Sequence, residues 1–408
     1  MNDNSKSDVL IAGLGAAAYS AALYSKRYQI KTTLVGEEFG GETAIGGLIE
    51  NYPGQPDIDG FDLMMKFKEQ VDNLQTETIN SNLKSVEKNI NGKFNCILDD
   101  GTNYEVISVI LAMGRERRKL DLENEEEWTG MGVSYCSTCD APLYKNKEAV
   151  AVVGGGNAAV EGAILLSKYA KKVYLIYRGK SFFRPEPILL NILNKTENIV
   201  ILLETEISSL LGDVNGLNGI QINKSFDGDH EIFLDGIFVE IGADPRLEIP
   251  NQLQLQINKE TGEVQVDKHQ NTSQPGIYAA GDVTGKIMLA HVASYEGFIV
   301  SENISGSLAK MDYSLVPSGI FTYPEIGSVG LSEEEAKSKG NKVKIGRFEI
   351  RALGKAHADR TIEGFVKIVS SKEDNSILGL HIVSSHASDL IHEGVVAMKG
   401  GMKTSDLG

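Results

Sequence analysis

The chain has 408 residues, of which 41% are hydrophobic and 24% charged, with a formal net charge of −16 and three cysteines. Such a length suits about three domains, each with its own core. The longest apolar run, "VISVILAM" (106–113), is too short to span a bilayer, and three cysteines exclude a structural disulfide framework. The acidic balance argues against nucleic acid or an anionic membrane as partner, and the polar start "MNDNSKSD" runs directly into an apolar strand with no room for a signal peptide, so the chain reads as a cytoplasmic, multidomain globular protein.

The first element, in "DVLIAGLGAAAYSAALYSKRY", is an apolar strand followed by Gly13-x-Gly15-x-x-Ala18 and an alanine-rich helix. Glycines in that setting let backbone approach a pyrophosphate resting on the helix N-terminus. The next strand, "KTTLVGEE", ends in Glu37 and Glu38, where a carboxylate can hold a free ribose hydroxyl, which suits FAD. Cys96, in the strand-like "KFNCILDD", reads as a small buried hydrophobe, and Trp128 as a packing residue. Cys136-Ser-Thr-Cys139 follows, with Asp140 directly after it; in a reducing compartment such a pair is redox-active or metal-binding more often than structural.

The fingerprint then repeats. "AVAVVGGGNAAVEGAILLSKY" places Gly154-x-Gly156-x-x-Ala159 between a strand and a helix, and two copies in matching context specify two dinucleotide sites. The strand after the second helix, "KKVYLIYRGKSFFR", carries Arg178, Lys180 and Arg184 where an NAD site would place an acid, and positive charge there favours the 2′-phosphate of NADPH. Nearer the C-terminus, Ser332-x-x-Glu335 is a capping box with Gly340 as the helix stop. Two β-rich runs flank the polar turn "SKEDNS" as a hairpin, and Ile391, Val395 and Met398 share one face of a last helix.

These motifs together resemble the low-molecular-weight thioredoxin reductases over roughly the first 280 residues: "GGETAIGGLIENYPG" (40–54), "ILAMG" (110–114), "GVSYCSTCD" (132–140), "VVGGGNAAVE" (152–161), "GIFVEIGADP" (236–245) and "AAGDV" (279–283). Beyond them "GDVTGKIMLAHVASYEG" (281–297) and residues 316–401 are similar to dihydrolipoamide dehydrogenase and its relatives, including their C-terminal dimerisation domain. The resemblance implies an α/β fold with two Rossmann-like domains and a C-terminal α+β dimerisation domain. It implies an FAD domain over 1–118 and 246–312, an NADPH domain carrying the disulfide over 119–245, and dimerisation through 313–408. FAD would be held by Gly13, Gly15, Ala18, Glu37, Gly41, Glu42, Asn51, Gly114, Gly281, Asp282 and Ala290, and NADPH by Gly154, Gly156, Asn157, Ala159, Arg178, Arg184 and Gly242. Cys139 would face the flavin, Cys136 would attack the partner's disulfide, and Asp140 would protonate the departing thiolate, with an N-cap role for Asp140 as the bland alternative. Zinc is disfavoured, because about four ligands are needed and the sequence offers no second C-x-x-C and no histidine pair at ligand spacing.

Electrons would pass from NADPH through FAD to the disulfide of thioredoxin or a similar dithiol protein, in a homodimer. The disulfide lies in the segment that opens the NADPH domain, so the resemblance to the thioredoxin reductases implies that it cannot touch the flavin while nicotinamide does. A rotation through the connections at 115–124 and 242–247 is therefore expected. Four departures stand out. No cysteine lies in the first FAD helix, where dihydrolipoamide dehydrogenase keeps its disulfide, and the sequence ends at Gly408, before that family's histidine and glutamate pair. Glu42 stands where the reductases carry glutamine, and Tyr177-Arg178-Gly179 replaces their His-Arg-Arg, which weakens the choice of NADPH over NADH. The rivals are the same core acting on dihydrolipoamide or another small dithiol, and a flavin-holding redox sensor that does not turn over. The basic run 115–119 reads as a solvated linker, with docking of an acidic thioredoxin as the alternative.

Overall fold

Val9–Ala12 sends alternate side chains to opposite faces of one sheet, with Val9 and Ile11 in one core cluster and Leu10 and Ala12 in another. A strand buried on both faces belongs in a parallel sheet, and the order here is Ile277–Ala279, Ser108–Leu111, Val9–Ala12, Thr32–Val35, Glu77–Ile79, all parallel. The computed structural model describes residues 7–45, 48–49, 52, 55, 57–182, 185, 187–320 and 322–407.

On one face of this sheet the helix Ala16–Arg27 packs against Ala290–Ile304. The alanines of "AAAYSAAL" let the two approach until a Cβ on Gly297 would lie 2.4 Å from the carbonyl oxygen of Ala17, and Ser301 Oγ donates to Ala21 O at 2.8 Å. On the other face lies an antiparallel meander, Leu83–Lys88, Phe94–Leu98 and Asn103–Val106. It buries Cys96 as expected, and that burial pushes the thiol up to about 12.

The same three layers recur in the middle of the chain. Val133–Ser134, Gly236–Val239, Val150–Val153, Val173–Tyr177 and Ile199–Leu203 form a second parallel sheet in that order. The helix Asn157–Leu166 covers one face, and a meander of Ile207–Asp213, Gly216–Phe226 and Asp229–Phe233 covers the other, with Trp128 buried in that core. The chain leaves the first sheet through Arg115–Arg117 and returns through Ala243–Pro245, and these two strands pair antiparallel with Arg115 opposite Pro245. The middle layers are thus an insertion that enters and leaves at one point.

From Lys310 the chain forms a second compact unit. Its antiparallel sheet runs Ser318–Ile320, Glu325–Gly330, Ile377–Ser384, Phe365–Ser371, Val343–Glu349, so the expected hairpin around "SKEDNS" is present. Ile391, Val395 and Met398 of the helix Ala387–Lys399 pack on Val329, Leu380 and Ile382. Ser332 and Glu335 form the capping box, and Gly340 takes φ +82° after the helix end. The expected fold class, two Rossmann-like layers sets and a C-terminal α+β unit, is the one observed. No helix among the described residues is long and apolar enough to cross a membrane.

Candidate active site

Cys136 and Cys139 are joined by a disulfide at the start of the one-turn helix Ser137–Asp140. Cys136 is its N-cap, and the amide of Cys139 donates to Cys136 Sγ at 3.1 Å, a contact that favours the thiolate on that sulfur once the bond is reduced. The turn is pinned from below by Glu240, at the end of strand Gly236–Val239, whose Oε1 accepts from Ser137 N at 3.1 Å and from Ser137 Oγ at 2.6 Å. Ser137 also rests on the helix Asn157–Leu166 at Gly162, where a Cβ would lie 2.6 Å from Ser137 Oγ. Asp140 does not act as a cap. Its Oδ2 accepts from the buried Ser134 Oγ at 2.7 Å, and that oxygen in turn accepts the Cys136 amide at 3.1 Å; Asp140 stands at the N-cap position of the following turn Ala141–Tyr144 but makes no side-chain cap bond there, so the capping alternative is corrected to a carboxylate oriented by Ser134.

Both sulfurs face the segment after the first fingerprint. Ile45 O lies 2.9 Å from Cys139 Sγ and 3.6 Å from Cys136 Sγ. A cavity of about 320 Å³ adjoins the pair, lined by Glu42, Ile45, Arg117, Cys136, Glu161 and Glu240 among others. Arg117 crosses its edge. Its Nε and NH2 donate to the two oxygens of Glu42 at 3.3 and 2.8 Å, and its NH1 donates to Tyr135 O and lies 3.8 Å from Glu240.

The basic run 115–119 is only partly a solvated linker: Arg118 and Lys119 are exposed, Arg115 and Arg117 are drawn into the fold, and each cation has an acid close by. Arg115 is mostly buried, bonds Glu263 at 3.0 Å and donates twice to Ala243 O. Arg118 holds both oxygens of Asp244, keeping that carboxyl below its usual range, and Lys119 lies 3.6 Å from Glu126. With its charge answered internally, the run offers little to an acidic partner.

The residues expected around FAD converge on the N-terminus of helix Ala16–Arg27. Gly13 takes φ +121°, with the Ala112 carbonyl oxygen 2.2 Å from where a Cβ would stand, while Gly15 caps the helix with no protein atom within 4 Å of its Cβ direction. Gly41 lies over Gly15, Gly281 beside Ala17, and Ala18 is wholly buried in the helix; Ala290 is the exposed first residue of its own helix. Gly114 stands at φ +68° at the crossing, where its carbonyl accepts from Arg246 N at 3.3 Å. Burial pushes the Asp282 carboxyl up, Arg115 draws it down and Glu42 adds to the rise; no donor among the described residues reaches it. A half-buried carboxylate without a donor among the described residues, beside helix amides that no side chain caps, fits a polyol and pyrophosphate ligand. Glu37 accepts from Asn82 at 2.8 Å, and Glu38 is taken by Arg246. Asn51 lies outside the described residues.

At the second fingerprint Gly154 takes φ +148°, with Glu240 O 2.3 Å from a Cβ position, and Gly156 caps Asn157–Leu166 in open space. Ala159 is fully buried, and Asn157 opens the helix. Gly242 takes φ +95° in the returning connection, where its carbonyl accepts from Arg118 N. Tyr177 lays its ring against Gly155 and Gly179 and stacks on Phe182, forming an aromatic wall beside the loop. Arg178 and Lys180 are exposed and form no ion pair among the described residues, as free phosphate ligands should; Arg184 lies outside them. Uncapped amides and free cations fit a phosphorylated dinucleotide.

Sequence reasoning missed Glu240, Ser134 and the bridging of Arg117. Glu240 was visible as the acid inside "GIFVEIGADP"; nothing local marks the other two.

The profile described as Pyridine nucleotide-disulphide oxidoreductase matches residues 7–297, and its dimerisation domain matches 316–408. The chain is 37% identical over 320 residues to the thioredoxin reductase of Buchnera aphidicola subsp. Acyrthosiphon pisum, covering 75% of this chain and 95% of that one. It is 37% identical over 306 residues to that of Escherichia coli O157:H7, covering 72% and 93%. Among solved structures, Lactococcus lactis thioredoxin reductase in the FR conformation has a TM-score of 0.61 at 32% identity, covering 73% of this chain and 97% of that one. The T. acidophilum thioredoxin reductase has a TM-score of 0.60 at 31% identity, again covering 73% and 97%.

Proposed function

Because the chain belongs to the pyridine nucleotide-disulphide oxidoreductase family, we propose that it is an FAD-containing, NADPH-dependent thioredoxin-disulfide reductase that works as a homodimer. The observation that carries this reading is the position of the disulfide, seated on the second fingerprint helix and turned toward Ile45 beside the first. Bound FAD supplies a carrier that accepts two electrons from NADPH and can deliver them to a disulfide. We assign the flavin to the layers built from residues 1–118 and 246–312, NADPH to 119–245 and the dimer contact to 313–408, with the cofactor residues as named above. A cytoplasmic setting suits a protein whose third cysteine is a buried thiol.

The chain's own residues then do the following. Cys139, whose sulfur lies nearer the segment beside the first fingerprint, receives the electron pair as the S–S bond breaks, leaving a thiolate and a thiol after uptake of one proton. Cys136, whose sulfur accepts the Cys139 amide, attacks the partner disulfide, and the sulfur it displaces leaves as a thiolate. Asp140, aimed by Ser134, gives that sulfur its proton, and Cys139 closes back on Cys136 to release the reduced partner.

Adding NADPH anaerobically should bleach the flavin absorbance, and oxidised thioredoxin should restore it. Restoration by lipoamide alone would move the assignment to a small dithiol, and no bleaching by NADPH or NADH would refute it. Replacing Asp140 with asparagine keeps an acceptor for Ser134 but removes the acidic proton. Thioredoxin turnover should fall about 100-fold, the low end of what a positioned general acid contributes, with bleaching by NADPH unchanged. Undiminished turnover in that variant would remove Asp140 from the mechanism.

A further inference from the structure

Arg117 is shared between the two halves of the site. Through Glu42 it grips the segment beside the first fingerprint. Through Tyr135 O it grips the residue before Cys136, and it lies near Glu240, which pins Ser137. We propose that the Glu42–Arg117 pair is an electrostatic latch holding the disulfide in its flavin-facing position, so that Arg117 is a positioning residue for electron delivery to Cys139 and a brake on nicotinamide access. This rests on the functional reading above, in which the disulfide and the nicotinamide must take turns at the flavin.

Three observations carry it. The contact with Glu42 is two-pronged, the geometry in which a guanidinium and a carboxylate hold most firmly. Glu42 and Arg117 line the cavity that adjoins Cys136, together with Glu240, so the pair closes on the site itself. The partners of Arg117 also divide between the two sides of the paired crossing Arg115–Arg117 and Ala243–Pro245, so any swing of the inserted layers must break one set of them. The neighbouring contacts of Arg246 with Glu38 and of Arg115 with Glu263 tie the crossing down on the same side, while Arg118 bonds Asp244 within the crossing and would move with it. Among the described residues, Arg117 alone reaches from the crossing to the residue next to the disulfide.

With Glu42 partly open to solvent, the pair is a modest bias and not a lock. Glu42→Gln, which removes the charge at nearly constant size, and Arg117→Ala should be compared with the unaltered holoenzyme. In the dithiothreitol-reduced proteins, alkylation of Cys136 by iodoacetamide, read by mass spectrometry, should quicken about threefold in Glu42→Gln and about tenfold in Arg117→Ala. Half-molar salt should quicken it in the unaltered protein and change neither variant. Stopped-flow bleaching by NADPH should speed up in both variants while electron delivery to the disulfide slows; a general folding defect would slow both steps. Equal alkylation rates and equal salt response in all three proteins, at equal FAD content, would overturn the latch. Loss of thioredoxin turnover in the unaltered enzyme would instead refute the functional reading, and the alkylation comparison would still decide the latch.

Discussion

Changing Cys139 to serine is expected to abolish NADPH-driven reduction of thioredoxin while bleaching of the flavin absorbance by NADPH survives. The sulfur of Cys139 lies 2.9 Å from Ile45 O, and a serine oxygen there keeps the size and polarity of the side chain but cannot form or release an S–S bond. The loss should be on the order of 10³-fold or more, the scale on which removal of one covalent participant stops a shared mechanism. The helix should remain, because its cap is Cys136, and Ser137 stays bonded to Glu240. Cys136 would then be a lone thiol able to form a mixed disulfide with thioredoxin but unable to resolve it, so a trapped covalent complex should appear on a non-reducing gel. Thioredoxin turnover that persists in this variant would mean that electrons bypass the pair, and the central assignment would be wrong.

Gly154→Ala should be nearly as severe, for a different reason. At φ +148° an alanine is strained before any contact is considered, and its Cβ would sit 2.3 Å from Glu240 O and 2.8 Å from the Cβ of Ala159. Backbone on one side and a buried helix on the other leave nothing flexible to yield. Strain and overpacking together should cost about 3 kcal/mol or more. The variant should lose bleaching by NADPH, because the loop that receives the dinucleotide can no longer close on its helix. It should also disturb the disulfide, since the residue displaced is the one whose carboxylate holds Ser137. Unimpaired NADPH binding, measured by titration, would show that the fingerprint is not the nucleotide site.

Much of this was legible in the sequence where the signal is local. A glycine fingerprint between an apolar strand and a helix specifies its own geometry, and Gly13 and Gly154 indeed occupy φ values that side chains avoid. The capping box at Ser332 and the apolar face of the last helix were likewise readable, because all their partners lie within two turns or in one amphipathic stripe. The reading failed where charge is answered at long range. Glu263 lies 148 residues from Arg115, and Glu42 lies 75 from Arg117, so two cations of a run that looked solvated are in fact held across the fold. Glu240 stands 103 residues from Ser137 and was hidden for the same reason. Asp140 misled more subtly, since it does stand at the cap position of the turn Ala141–Tyr144, yet its carboxylate accepts from Ser134 and caps nothing.

The pairing of Arg115–Arg117 with Ala243–Pro245 also bears on how the chain finds this fold. The strand Ile277–Ala279 completes the first sheet only after the inserted layers have been synthesised. Left unfolded, an insertion of roughly 130 residues would oppose that closure by about 4 kcal/mol of loop entropy. Once the insertion has folded, its two ends already lie side by side, and the penalty vanishes. The first sheet should therefore close after the insertion has folded, and damage inside the insertion should loosen a core built from other parts of the chain.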